Sequence, residues 1–135
     1  MRARDALGRP VPAGSPDAVA PVSEEPLPPH DAVALARRLL ADGRAFSAHE
    51  VFEASWKAAA PEERPLWQGL AQVCVGLTHL QRGNDVGAAR LLRRGAGLLA
   101  GQAPRYDVDV GRVAADALRL ADEIDAGRAG AMVQL

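Results

Sequence analysis

From His30 onward, apolar residues recur three and four positions apart, the spacing of a buried helical face. Val33, Ala36, Leu39 and Leu40 share one side of a segment that Asp31 can cap and Gly43 ends, which predicts a first helix to about Asp42. Ser47 followed by Glu50 has the spacing of a capping box, so a second helix is expected from there to about Ala60. Pro61 suits the opening turn of a third helix that runs to Arg82 and stops at Gly83. Asn84 or Asp85 caps a fourth, ending near Gly101 and carrying Gly87, Gly95 and Gly97, which either weaken it or let a neighbour approach closely. Asp109 opens a fifth, with Val113, Ala117, Leu120 and Ile124 on its apolar side. Short connections make neighbouring helices antiparallel. The fold class is therefore all-α: a compact bundle of about five helices over residues 30–127.

Residues 1–29 break this pattern. They hold seven of the ten prolines, which exclude helix and central strand, and their apolar residues are few and small. A disordered, partly polyproline-like arm is expected, and a frayed tail over 128–135. No apolar stretch after Met1-Arg2-Ala3-Arg4 resembles the hydrophobic part of a signal peptide.

The third helix carries the most information. At about 100° per residue, Leu66, Leu70, Val73, Leu77 and Leu80 form its core stripe. Gln68, Gln72 and His79 fall in a narrow arc on the other side, with Val75 and Gly76 beside them. No charge lies between Arg64 and Arg82, so this helix is expected to be central and its polar stripe covered. The second helix gathers His49, Glu50, Glu53 and Lys57 in one arc, flanked by Phe46 and Trp56. If the two helices form a hairpin, the stripes meet in a sheltered polar seam. A carboxylate there with too few donors has its pKa raised. The plainest meaning of such a cluster is a satisfied structural network, and the next plainest a solvated face.

Several motifs resemble those of the domain of unknown function 309 family. They are Phe46-Ser-Ala-His49-Glu50-Val-Phe52-Glu53-Ala-Ser-Trp56-Lys57, Trp67-Gln68-Gly69-Leu70-Ala71-Gln72, His79-Leu80-Gln81-Arg82-Gly83-Asn84 and Gly87-Ala88-Ala89-Arg90-Leu91-Leu92, in the family's order over residues 44–100. The resemblance implies a small all-helical domain and no established activity. It carries signature positions onto His49, Glu50, Glu53, Trp56, Gln68, Gly69, Gln72, Gly83 and Asn84. Ala54 and Ala71 depart from the family pattern, which often has a second acid and a larger aliphatic residue there.

The remaining chemistry is sparse. A balance of 17 acidic and 16 basic residues, net charge −1, does not suit a general nucleic-acid or membrane-surface binder, so neither partner is expected. One cysteine excludes an internal disulfide, and Cys74 reads as a buried, inert thiol. No apolar run reaches the roughly eighteen residues of a membrane span, and a cytoplasmic protein is expected. Trp56 and Trp67 read as core anchors, Arg90, Arg93 and Arg94 as a solvated face, and His30 as a capping or exposed residue. His49, Glu53 and His79 could supply two imidazoles and a carboxylate to iron or manganese, with Glu50 behind them, but this chain lacks the second histidine of a zinc-protease helix and the paired Glu-x-x-His motifs of di-iron bundles. Glu50 and Glu53 could divide acid and base roles. No cofactor is assigned. The reading is a structural or protein-interaction module, with a protein partner or a second copy as its counterpart. The alternative is a metal-dependent or acid–base enzyme acting on a small molecule at the same cluster.

Overall fold

Helix α1 spans Pro29–Ala41, and Pro28 occupies the cap position with no side-chain bond. The helix therefore begins two residues before Asp31, since proline fits a first turn whose amides are unpaired in any case. Asp31 sits inside that turn, where its charge favours the positive end of the helix dipole. Helix α2 spans Ala45–Ala58 with Arg44 at its cap position. The expected capping box does not form. Ser47 lies inside the helix, buried, and its hydroxyl accepts from the Arg44 guanidinium at 3.1 Å. Pro61–Glu63 make a single tight 3-10 turn, and α3 spans Arg64–Gln81, with Pro65 in its first turn. Helix α4, Asp85–Leu99, is capped by Asn84, whose side chain accepts from the Gly87 amide at 3.1 Å. Helix α5, Val110–Asp125, is capped in the same way by Asp109 through the Arg112 amide at 3.2 Å. Each such cap contributes about 1 kcal/mol.

The computed structural model describes residues 3–128 and 133–135. Each helix packs chiefly on the next in sequence, α1 on α2, α2 on α3, α3 on α4 and α4 on α5. One contiguous apolar core joins all five, with Phe52, Leu70, Leu77, Leu92, Leu99 and Leu120 fully buried. Helices α3 and α4 approach closely through glycine. A Cβ at Gly69 would lie 2.8 Å from Leu99, one at Gly76 2.9 Å from Leu92, and one at Gly95 2.9 Å from the Gly69 carbonyl oxygen. Arg93 ties α4 to α5 through Asp122 at 2.9 Å and Asp125 at 2.6 Å.

Among its described residues, 3–28, the proline-rich arm contains no helix. It begins with a small antiparallel hairpin, β1 (Ala3–Arg4) and β2 (Pro10–Val11), and then follows α2 along its length. Ala20 accepts through its carbonyl from Arg44 at 2.7 Å, Val22 packs against the core, and Pro26, Leu27 and Pro29 lie beside Ser55, Ala58 and Ala59. This path is more specific than composition predicts. A local network shapes its first turn: the buried Asp5 carboxylate accepts from the Leu7 and Arg9 amides at 3.0 and 2.8 Å and from the Arg9 guanidinium at 2.8 Å. At the other end, part of the expected frayed tail, residues 129–132, lies outside the described residues. Val133 is buried, and the Leu135 carbonyl accepts from Arg37 at 3.2 Å.

Candidate functional site

On α2 the polar arc forms as the periodicity predicts. His49 sets both ring nitrogens against acceptors: the Phe46 carbonyl is 3.0 Å from Nδ1, and a Glu53 carboxylate oxygen is 2.7 Å from Nε2. Both contacts are hydrogen bonds at once only when both nitrogens carry a proton, that is, in the imidazolium form. The other Glu53 oxygen lies 3.0 Å from the Lys57 ammonium. The ladder Phe46–His49–Glu53–Lys57 thus runs up one side of one helix at three- and four-residue steps. The hydrogen bond from Lys57 is the largest influence on Glu53. Burial opposes it, but Lys57 and the neighbouring His49 prevail and hold the carboxyl below its ordinary pKa. Glu50 behaves oppositely. Burial pushes its pKa up, against the charges of His49, Arg4 and Arg44, with Glu53 adding to the rise. Among the described residues, no ion pair reaches Glu50.

The arm supplies the facing wall. Val22, Ser23 and Glu24 stand opposite His49, Glu50, Glu53, Ala54 and Lys57 across an open cleft of about 360 Å³.

The expected seam with α3 is not made by hydrogen bonds. Among the described residues none joins His49, Glu50 or Glu53 to Gln68, Gln72 or His79. The helical wheel supplies the reason. Ala48, Val51, Phe52 and Ser55 are the buried face of α2, and the polar arc is centred about 160° away at about 100° per residue. The polar stripe of α3 is likewise its least buried sector. Gln68, Gln72, Val75 and His79 are half-buried, while residues on either side of them face the core or α4. His79 bonds to the Asn84 side chain at 3.0 Å, at the far end of α3. The Gln72 side-chain oxygen is buried with no hydrogen-bond partner among the described residues. Trp56 is half-buried against the core, and Trp67 is buried, its ring 6.0 Å from that of Phe52.

The candidate metal set is accordingly not assembled. His79 is bonded elsewhere, and among the described residues no group of three or more His, Cys, Asp or Glu side chains is arranged to hold an ion. Cys74 is fully buried, and burial pushes its thiol up to about 12. At that value it carries almost no thiolate at neutral pH, and thiolate is the reactive form.

Sequence reasoning missed a second cluster, at the loop between α4 and α5. Tyr106 stacks on Trp67 with ring centres 5.5 Å apart and donates to Glu63 at 2.7 Å. That hydrogen bond raises the Tyr106 pKa. His30 sits edge-on to the Tyr106 ring and is 3.1 Å from Asp107, so it latches the start of α1 to this loop rather than capping a helix. Tyr106 and Asp107 both take positive φ, 52° and 65°, a conformation that costs an L-residue about 1 kcal/mol or more. The one available signal was that the chain's single tyrosine lies in a proline-containing connection.

The fold and this face define a small five-helix domain with a charged ladder along one outer helix. Residues 33–91 match the family model described as "Domain of unknown function (DUF309)", which bears out the resemblance carried by the α2, α3 and α4 motifs. A 48-residue segment, 35% of this chain, is 42% identical to the uncharacterized protein YpuF of Bacillus subtilis (strain 168), and it spans 28% of that relative's length. No solved structure matches the chain. Among the described residues no helix is long and apolar enough to cross a membrane.

Proposed function

We propose that this domain is an interaction module that works without catalytic chemistry. It takes up a cationic side chain of an extended protein segment in the cleft between α2 and the arm. The carrying observation is the charge of that cleft: Glu24, Glu50 and Glu53 line it against Lys57 and His49. Glu53 is already paired, whereas Glu50 is half-buried and, among the described residues, has no ion-pair partner of the kind a lysine or arginine would provide. A volume of about 360 Å³ is at the small end for ligand sites and suits a side chain. An active site needs a nucleophile or base, a group that orients it and donors that converge on one reacting atom. The hydrogen bonds of this ladder instead stay within one helix. The raised pKa of Glu50 is what favours the acid–base alternative, in which it would act as the proton donor.

The test is an NMR titration of the isotope-labelled full chain with pentalysine, with pentaglutamate as control. Pentalysine is expected to move the amides of His49–Lys57, and Glu50→Gln is expected to weaken that response several-fold. Absence of any α2 response to pentalysine refutes the proposal. So does thermal stabilisation by zinc or manganese that His49→Ala abolishes, which would instead support the metal-dependent reading.

A further inference from the structure

The hairpin at residues 3–11 is joined to the helices at one point, and that point is built around an aromatic ring. Phe46, in the first turn of α2, is only partly buried. The Arg4 guanidinium lies 5.0 Å from the centre of its ring and that of Arg82 5.9 Å. Arg4 also donates to the Gly8 carbonyl at 2.6 Å, and Arg82 to the Leu7 carbonyl at 2.8 Å, so both cations hold the turn and the ring together. Gly8 is buried against Phe46 at φ +78°; a Cβ there would overlap the ring and lie 2.8 Å from Phe46 Cβ. Two independent requirements, the left-handed backbone and the missing side chain, thus fall on one residue. From the hairpin the chain continues through the Val19 amide, which donates to the Arg4 carbonyl at 2.9 Å, to Ala20 on Arg44 and then to Val22–Glu24 over the cleft.

We propose that the Gly8–Phe46 contact is a clasp: it fastens the hairpin to the start of α2, holds residues 19–24 over the His49–Lys57 face, and on release uncovers that face. The purpose of the uncovering rests on the interaction reading above; the clasp itself does not. The anchor is separate from the helical core. Its hydrogen bonds and cation contacts run from the arm to the exposed ends of α2 and α3, so it can open while the five helices stay packed. The contact is also one-sided: the seat belongs to a 14-residue helix packed on the core, whereas the hairpin has two residues per strand, and such a hairpin alone is at best marginally stable.

Gly14 provides an internal control. It has nearly the same φ, +81°, but a Cβ there would meet nothing within 4 Å. The experiment measures backbone order parameters and amide exchange by NMR in the full chain and in Gly8→Val, Gly14→Val and Phe46→Leu variants. Clasp release predicts that Gly8→Val and Phe46→Leu drop residues 5–22 from the rigid range, about 0.85, to below about 0.6, and speed exchange of the Val19 amide at least tenfold, with α3 and α4 unchanged. Gly14→Val is expected to leave Val19 protected. An equal loss in Gly14→Val, or a protected Val19 in both Gly8→Val and Phe46→Leu, overturns the clasp. Either outcome is independent of whether pentalysine binds, so failure of the clasp and failure of the interaction reading are distinguishable.

Discussion

Two glycines in one helix turn give the sharpest test of the packing. Gly95 and Gly97 both lie inside α4, and replacing either with alanine brings the same gain in intrinsic helix propensity, about 1 kcal/mol. Their surroundings differ. Around Gly97 nothing lies within 4 Å of a built Cβ, so the gain should appear nearly whole, about 0.5–1 kcal/mol. At Gly95 the new methyl would stand 2.8 Å from Val73 Cγ2, 2.9 Å from the Gly69 carbonyl oxygen and 3.0 Å from the Val73 nitrogen. Carbon contacts are comfortable near 3.5–4.0 Å, and two of these three neighbours are backbone atoms of α3 that cannot turn aside. Helices α3 and α4 must part by several tenths of an ångström, and overpacking of this kind costs about 1–3 kcal/mol. Less the propensity gain, Gly95→Ala should lose about 0–2 kcal/mol. For a chain of 135 residues, at about 4 °C per kcal/mol, Tm should rise by about 2–4 °C in Gly97→Ala and fall by up to about 8 °C in Gly95→Ala. Thermal and urea unfolding followed by far-UV circular dichroism read both. If both variants are stabilised, the close approach of α3 and α4 is wrong.

The two carboxylates on α2 should respond to pH with opposite sign. The folded pKa of Glu53 is lowered, so its stabilisation is present above the unfolded value and is lost as pH falls through the folded one. Glu53→Gln should therefore cost a few tenths of a kcal/mol at pH 7, small because the group is partly exposed, and nothing once acid has protonated the wild-type carboxyl. The folded pKa of Glu50 is raised, so its charge opposes folding increasingly as pH rises through that value, and Glu50→Gln should be neutral in acid and stabilising at pH 7. Urea titrations at several pH values check both, and a shared sign would contradict the geometry. Cys74, buried with its thiol pushed up to about 12, should react with a disulfide reagent only at the rate of unfolding; fast labelling of native protein would show that the α3 packing is not as described.

Helix periodicity, caps and breakers determined most of the fold directly. The five helices, the Asn84 and Asp109 caps and the buried Leu66–Leu77 stripe follow from local spacing, because 3.6-residue geometry and unpaired terminal amides are properties of the chain itself. The His49–Glu53–Lys57 ladder was legible for the same reason: all its members lie on one helix face. Which faces meet was not legible. Polar stripes on two successive helices suggested a shared seam, but the Phe52 and Ser55 face of α2 buries more apolar surface. That choice turned His49, Glu50 and Glu53 toward the arm and left the Gln72 side-chain oxygen without a hydrogen-bond partner among the described residues. The course of the arm was likewise decided by contacts distant in sequence, Arg82 with Leu7 and Phe46 with Gly8. Composition is blind to such contacts, because it counts prolines and apolar residues without knowing which surface lies beside them.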